Sequence, residues 1–208
     1  MEIVQRSIIA FLVATGITLI GGERAVGQWL PLTAKTSESR TIRKPDGSQV
    51  QMTVEGVLYR TSNGDQLEHF QIRQDGKVTE DVASLLDNRK FRVYRVDYLT
   101  KTVQEVKKLD GPRVPDAGIA ESNQKLHQET VDGIQCSVFP VVLKGKTVGT
   151  MWKSNKYDIP IKSEYTVENS GSVMHVQSRT YDIRTQHEPD KAVFAVDPSF
   201  KVLPPLVH

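Results

Sequence analysis

Cysteine is almost missing from this sequence: Cys136 is the only one in 208 residues. A lone cysteine excludes an intramolecular disulfide framework and any zinc site built from several thiolates. It also excludes a lipid-modified export signal, which needs a cysteine at the start of the mature chain, where Arg24-Ala25-Val26-Gly27-Gln28 has none. An excess of one charge is lacking as well, since 27 Lys and Arg face 25 Asp and Glu for a net +2. The basic residues are scattered, with Lys107-Lys108 and the Lys144/Lys146 turn as the local concentrations. No stripe exists that would release many counterions, so nucleic acid is not an expected partner.

Paired histidines are absent too. His69, His127, His175, His187 and His208 stand singly, without a partner at metal-ligand spacing, so neither a metal nor a cofactor is expected. No Gly-x-Ser-x-Gly elbow, phosphate-cradling glycine loop or dinucleotide fingerprint occurs. No residue is assigned a catalytic role, and the chain is read as a non-enzyme. Serines, histidines and acids are numerous enough that a hydrolase triad would be a matter of geometry alone, which keeps a hydrolase as the third reading.

What is present begins with an export signal. Arg6 supplies one positive charge ahead of an apolar stretch over residues 7–22 that includes Ile8, Phe11, Leu12, Ile17 and Leu19. A spanning helix needs about 20 apolar residues, whereas this run is broken by Thr15, Gly16, Thr18 and Gly21 and closed by Glu23 and Arg24. Ala25-Val26-Gly27 places small residues where a signal peptidase reads, so cleavage between Gly27 and Gln28 is expected. The alternative is an uncleaved anchor. Residues 1–27 are therefore read as a signal peptide and residues 28–208 as a single β-rich domain, periplasmic or secreted, with no integral membrane span of its own.

Downstream the apolar period is two rather than 3.6. Val50, Met52 and Val54 alternate with polar residues, and the parity switches after Gly56 to Val57 and Tyr59, which predicts a bulge at Gly56. Ser62-Asn63-Gly64-Asp65 predicts a hairpin turn of type I′ leading into a strand over 66–73. Asp75-Gly76 is a second turn, after which Val82, Leu85 and Leu86 stand at helical spacing and predict one short helix over 80–88. Tyr94, Val96 and Tyr98 resume the alternation, and Val103 and Val106 mark a further strand. Pro112 and Pro115 make residues 111–118 a loop. The second half reads as a meander of strands over 126–131, 134–143, 147–154, 159–167 and 173–185, joined by turns at Asp132-Gly133, Lys144-Gly145-Lys146 and Asn169-Ser170-Gly171.

Five residues from neighbouring strands of that meander, Phe139, Met151, Trp152, Tyr165 and Met174, are the candidate contacts for an apolar ligand. Ordinary core packing is the competing reading of each, because a β domain of this size needs such side chains regardless. Cys136 shares its strand parity with Ile134 and Val138 and is expected in the same buried layer.

Three segments carry a resemblance: residues 56–65, from Gly56-Val57-Leu58-Tyr59-Arg60 through Ser62-Asn63-Gly64-Asp65; Val131-Asp132-Gly133-Ile134-Gln135-Cys136; and Pro189 to Pro198 around Phe194 and Val196. With Met151-Trp152-Lys153-Ser154, they resemble uncharacterised secreted proteins of acidobacteria and related soil bacteria. Those are in turn similar to the LolA-like outer-membrane lipoprotein carriers and related periplasmic sensor domains. Asp65-Gln66 stands where the related proteins tend to have arginine. The resemblance implies a mainly β fold, a curved antiparallel sheet forming an open half-barrel with one or few short helices. It further implies a concave face that receives a lipid, a lipoprotein segment or an envelope protein partner. The alternative is a structural or protein-interaction module of the cell envelope with no small ligand.

Overall fold

The computed structural model describes residues 29–108, 120–121, 125–143 and 145–206. The expected signal peptide with its cleavage point, the proline loop and Lys144 lie outside the described residues.

Among the described residues, thirteen strands form one sheet. In chain order these are β1 (Leu32–Arg43), β2 (Gln49–Arg60), β3 (Gln66–Gln74), β4 (Lys77–Asp87), β5 (Arg92–Asp97), β6 (Thr102–Lys108), β7 (Ala120–Glu121), β8 (His127–Val131), β9 (Ile134–Leu143), β10 (Lys146–Ser154), β11 (Pro160–Asn169), β12 (Ser172–Arg184) and β13 (Lys201–Leu203). The spatial order is β13-β6-β5-β4-β3-β2-β1-β12-β11-β10-β9-β7, with β8 also paired to β9. The sheet is curved and open, its ends at β13 and β7 unjoined, and every pairing but the parallel β13–β6 contact is antiparallel.

Local turn chemistry makes this meander. Asp75-Gly76, Asp132-Gly133 and Ser170-Gly171 each place two successive residues at positive φ, the conformation of a two-residue type I′ hairpin turn, whose twist matches that of the strands. The turn after β2 is different. Only Gly64 is left-handed there, and residues 61–65 form a wider loop closed by the Thr61 N–H donating to the Asp65 carbonyl at 2.9 Å.

Two expectations are corrected. Residues 80–88 form no helix; most of them belong to β4, fully paired with β3 and β5. Val82 and Leu86 face one side and Ala83 and Leu85 the other, and both sides are covered, so the apolar positions no longer alternate and fall by coincidence at helical spacing. Gly56 makes no bulge either, since the register runs unbroken through Thr36, Gly56 and Phe70. A Cβ at Gly56 would stand 2.6 Å from Thr36 Oγ1 and 2.9 Å from the His69 carbonyl oxygen. The glycine thus serves close approach, and the parity switch arises because Val54 and Leu58 face one layer while Tyr59 faces another.

The main core lies on the concave face. Twelve buried residues from β1–β4 and β9–β12, among them Met52, Phe70, Val82, Val141, Met151, Tyr165 and Met174, meet there although their strands are far apart in the sheet. A second cluster at the other end of the same region joins Leu32, Ala34, Leu58, Ile159 and Ile161 to Cys136, which is 0 % exposed. On the convex face Leu67, Ala83, Val96 and Val103 are covered by Val193, Phe194, Val196 and Phe200 of the C-terminal segment. That segment starts with a single 3-10 turn, Lys191–Phe194, capped by the Asp190 side chain accepting from the Ala192 N–H at 2.9 Å.

Candidate functional site

Four of the five apolar candidates converge. Met151 pairs with Phe139 across β9 and β10, Gly149 with Tyr165 across β10 and β11, and Val167 with Met174 across β11 and β12. Residues directly opposite in an antiparallel pair share a face, and here that face is the concave one. Met151, Tyr165 and Met174 are buried in the main cluster, with Phe139 packed on its margin. Gly149 makes the arrangement tight, because a Cβ there would meet the Glu164 carbonyl oxygen at 2.1 Å and Tyr165 Cα at 2.4 Å.

Trp152 does not join them. As the next residue after Met151 it points to the other side of the sheet. Its Nε1–H donates to Glu129 Oε2 at 2.8 Å, and Lys162 Nζ lies 4.5 Å from its ring centroid. The indole hydrogen bond holds the Glu129 carboxyl below its usual range.

Charged residues that sequence reasoning missed also occupy the concave face. The register puts Glu38 and Arg40 of β1, Glu68 of β3 and Glu80 of β4 on the same side as Val54, Phe70 and Ile72. Arg40 is 4 % exposed. Its Nε donates to Glu38, while its Nη1 is buried without a hydrogen-bond partner. Burial, reinforced by the neighbouring Glu38 charge, pushes the Glu68 carboxyl up to about 8. Desolvation also raises Glu80, partly offset by Arg95 and Arg40; Arg95 Nη2 stands 3.5 Å from Glu80 Oε2, an ion-pair distance without hydrogen-bond geometry. The signal was present in the sequence, since Glu68 shares the parity of Phe70 and Ile72, and Arg40 that of Ile42.

On the outer face a groove of about 460 Å³ crosses β2, β1, β12 and β11, lined by Ser37, Ser39, Glu55, Lys162, Gln177 and Arg179 among others. The β8–β9 turn overhangs it, tied down by Arg179 Nε donating to Asp132 Oδ2 at 3.0 Å. Further along the outer face His69 Nε2 lies 2.6 Å from Asp81 Oδ1, and the Tyr98 ring sits 4.7 Å from the imidazole, edge-on to Phe200. This group anchors the C-terminal segment. Among the described residues no group of three or more His, Cys, Asp or Glu could hold a metal ion, and no helix is long and apolar enough to cross a membrane. The concave face thus presents an apolar layer with a small set of buried polar atoms.

No family model and no curated protein matches this chain. Among solved structures, an uncharacterised conserved protein from Thermus thermophilus is similar, with a TM-score of 0.50 and 10% identity over 95% of this chain and 99% of the other. That likeness shows a shared fold across nearly the whole of both chains. A LolA superfamily protein from Nitrosomonas europaea stands among the neighbours at a TM-score of 0.32 and 13% identity, over 78% of this chain and 90% of that one. The Pseudomonas aeruginosa MucA/MucB complex gives 0.40 and 15% identity over 82% of this chain. There the chain spans little more than half of its neighbour, 58%.

Proposed function

We propose that this chain is an exported, non-enzymatic binding module of the cell envelope whose concave face takes an acyl chain, free or carried on a lipoprotein segment. The supporting observation is the interior itself. Eight strands contribute one continuous apolar layer, and no α-helix lies over it among the described residues. Met52, Met151 and Met174 all belong to that layer. Unbranched thioether side chains repack at low cost, so the layer can part around a guest. Val50, Phe139, Leu143 and Val148 form its partly exposed margin, which gives a guest its way in. Phe139, Met151, Tyr165 and Met174 are the residues proposed to touch it, whereas Trp152 packs against the second cluster with Ile161 and Cys136.

Native mass spectrometry of the folded protein purified from its source envelope tests this reading. A co-purifying lipid is expected; consistent absence of any lipid on folded protein contradicts it.

One observation favours a second reading. The twelve core residues are at most 8% exposed, so their own side chains fill the interior. A sealed sheet would act as a rigid platform for a protein partner, with the outer groove as its contact surface. Lipid-free protein that retains a co-purifying polypeptide supports that alternative.

A further inference from the structure

The two ends of the sheet treat their cations differently. Strands consecutive in the chain pair antiparallel, and β1 pairs antiparallel with β12, so the hairpin turns alternate between the ends. The turns after β1, β3, β5, β9 and β11 share one end, and those after β2, β4, β8 and β10 share the other. At the second end cations are neutralised within the fold. Lys90 Nζ lies 3.0 Å from Asp87 Oδ2, Lys153 Nζ 2.9 Å from Asp158 Oδ1 and Arg184 Nη2 3.1 Å from Asp182 Oδ2, while Arg179 holds Asp132. At the first end Arg43, Lys44, Lys77, Lys101, Lys146 and Lys201 are exposed, and none of them has an ion pair among the described residues. The acids of that end are Asp46, Asp75, Asp97 and Glu168. Asp46 and Asp97 fold back onto their own turns, Oδ1 of each accepting a backbone N–H, from Ser48 at 2.9 Å and from Thr100 at 2.8 Å. Glu168 follows the inward Val167 and so faces the outer side. Cations prevail at this end.

The same end is where the apolar layer is least covered. Val50 near the start of β2, Leu143 at the end of β9 and Val148 near the start of β10 belong to its partly buried margin. Leu99, in the β5–β6 turn two residues before Lys101, is 55% exposed. Unpaired lysines beside exposed apolar side chains suit an anionic bilayer: each cation near such a surface strengthens binding about fivefold, and the apolar tip enters the headgroup region.

We propose that this turn end is a docking surface for an anionic lipid bilayer, with Lys44, Lys77, Lys101 and Lys146 at the phosphate groups and Leu99 inserted between headgroups. The proposal builds on the apolar-ligand reading above, since docking in this pose brings the margin of Val50, Leu143 and Val148 to the surface that holds acyl chains. The docking itself needs no guest. Charge complementarity selects the partner. A zwitterionic surface has no net attraction for unpaired lysines, and an acidic protein gives Leu99 no acyl phase to enter.

Vesicle co-sedimentation tests the proposal, with phosphatidylglycerol and phosphatidylcholine in equal parts against phosphatidylcholine alone. Protein purified after export is used, so that wild type and variants carry the same N-terminus. Binding is expected to the anionic vesicles and should fall steeply as salt rises from about 0.05 to about 0.5 M. The triple variant Lys44→Gln, Lys77→Gln, Lys146→Gln should weaken it roughly a hundredfold, and Leu99→Ser should weaken it further. Arg89→Gln, Lys90→Gln and Lys156→Gln together remove as much charge from the opposite end and should change it by less than about threefold. Circular dichroism checks the fold of each variant. Equal binding to both vesicle types, no binding to either, or equal losses in the two triple variants overturns the proposal. So does binding to soluble polyglutamate that is as tight as to vesicles and indifferent to Leu99→Ser, which would make this end a site for an acidic protein. Those outcomes leave the apolar-ligand reading standing, because lipid retained on the folded protein tests that reading separately.

Discussion

Arg60 donates from Nη2 to the backbone oxygen of Tyr157 at 2.6 Å, joining the end of β2 to the connection between β10 and β11. Its Nε donates to the Leu30 carbonyl at 3.2 Å, its guanidinium lies 5.2 Å from the Trp29 ring centroid, and the residue is only 3% exposed. One planar cation thus ties three segments at the end of the domain where Leu32, Leu58 and Ile159 pack. Arg60→Met keeps the apolar stem but leaves two carbonyls unmet, so it should cost about 2 to 4 kcal/mol. Lys should recover only part of this, because it lacks the planar fork. Urea denaturation of both variants checks the order.

Glu68 should make stability depend on pH. Its carboxyl titrates near 8 in the fold against an ordinary 4.5, chiefly because it is desolvated and secondly because Glu38 is near. A raised acid is neutral in the folded state and ionises first in the unfolded one. Its contribution to stability is therefore whole below about 4.5 and is lost as pH climbs toward 8. Glu68→Gln has no such loss. The stability of the variant should exceed that of the wild type by an amount that is small at pH 5 and grows by roughly 2 to 4 kcal/mol by pH 8.5, read from urea denaturation at each pH. A gap independent of pH would place the Glu68 carboxyl in water.

Cys136 is fully buried, and burial raises its thiol while Sγ donates to the Ile134 carbonyl at 3.4 Å. It should react slowly with a thiol reagent in the native state and rapidly once unfolded. Cys136→Ser should cost about 1 to 3 kcal/mol and Cys136→Ala less, with ligand binding unchanged in both. Fast native labelling would count against a structural thiol.

Gly149 is expected to be the least replaceable glycine. A Cβ there would meet backbone atoms of Glu164 and Tyr165 at 2.1 to 2.4 Å, and backbone cannot step aside as a flexible side chain can. Gly149→Ala should cost more than about 2 kcal/mol through forced separation of β10 and β11. No atom lies within 4 Å of the corresponding position at Gly76, so any cost of Gly76→Ala comes from its positive φ alone. Thermal melts of the two variants separate steric crowding from backbone strain.

The second half of the fold is legible in the sequence because its strands alternate cleanly and its turns are Asp-Gly or Ser-Gly pairs that force adjacent pairing. β9 spans residues 134–143 just as its pattern indicates. The first half is harder to read. β1 leaves little trace because its inward positions include Thr36, Glu38 and Arg40, which erase the apolar period at the middle of the strand. β4 mimics a helix because both of its faces are covered, one by the concave core and the other by Phe194 and Phe200 from about a hundred residues further along the chain. The candidate site is legible as a set of apolar side chains, four of which share a face. Trp152 parts from Met151 by the same strict alternation that marks the strands. The buried charges escape notice because residue type alone marks Arg40, Glu68 and Glu80 as surface residues.

Methyl NMR of the folded domain labelled at methionine tests the central claim most directly. Met52, Met151 and Met174 lie together in the concave layer, and a guest acyl chain there must change the surroundings of their methyl groups. Titration with hexadecanoic acid should shift all three signals in a saturable, concentration-dependent manner. Three unmoved methyl signals at saturating ligand would contradict an interior binding site.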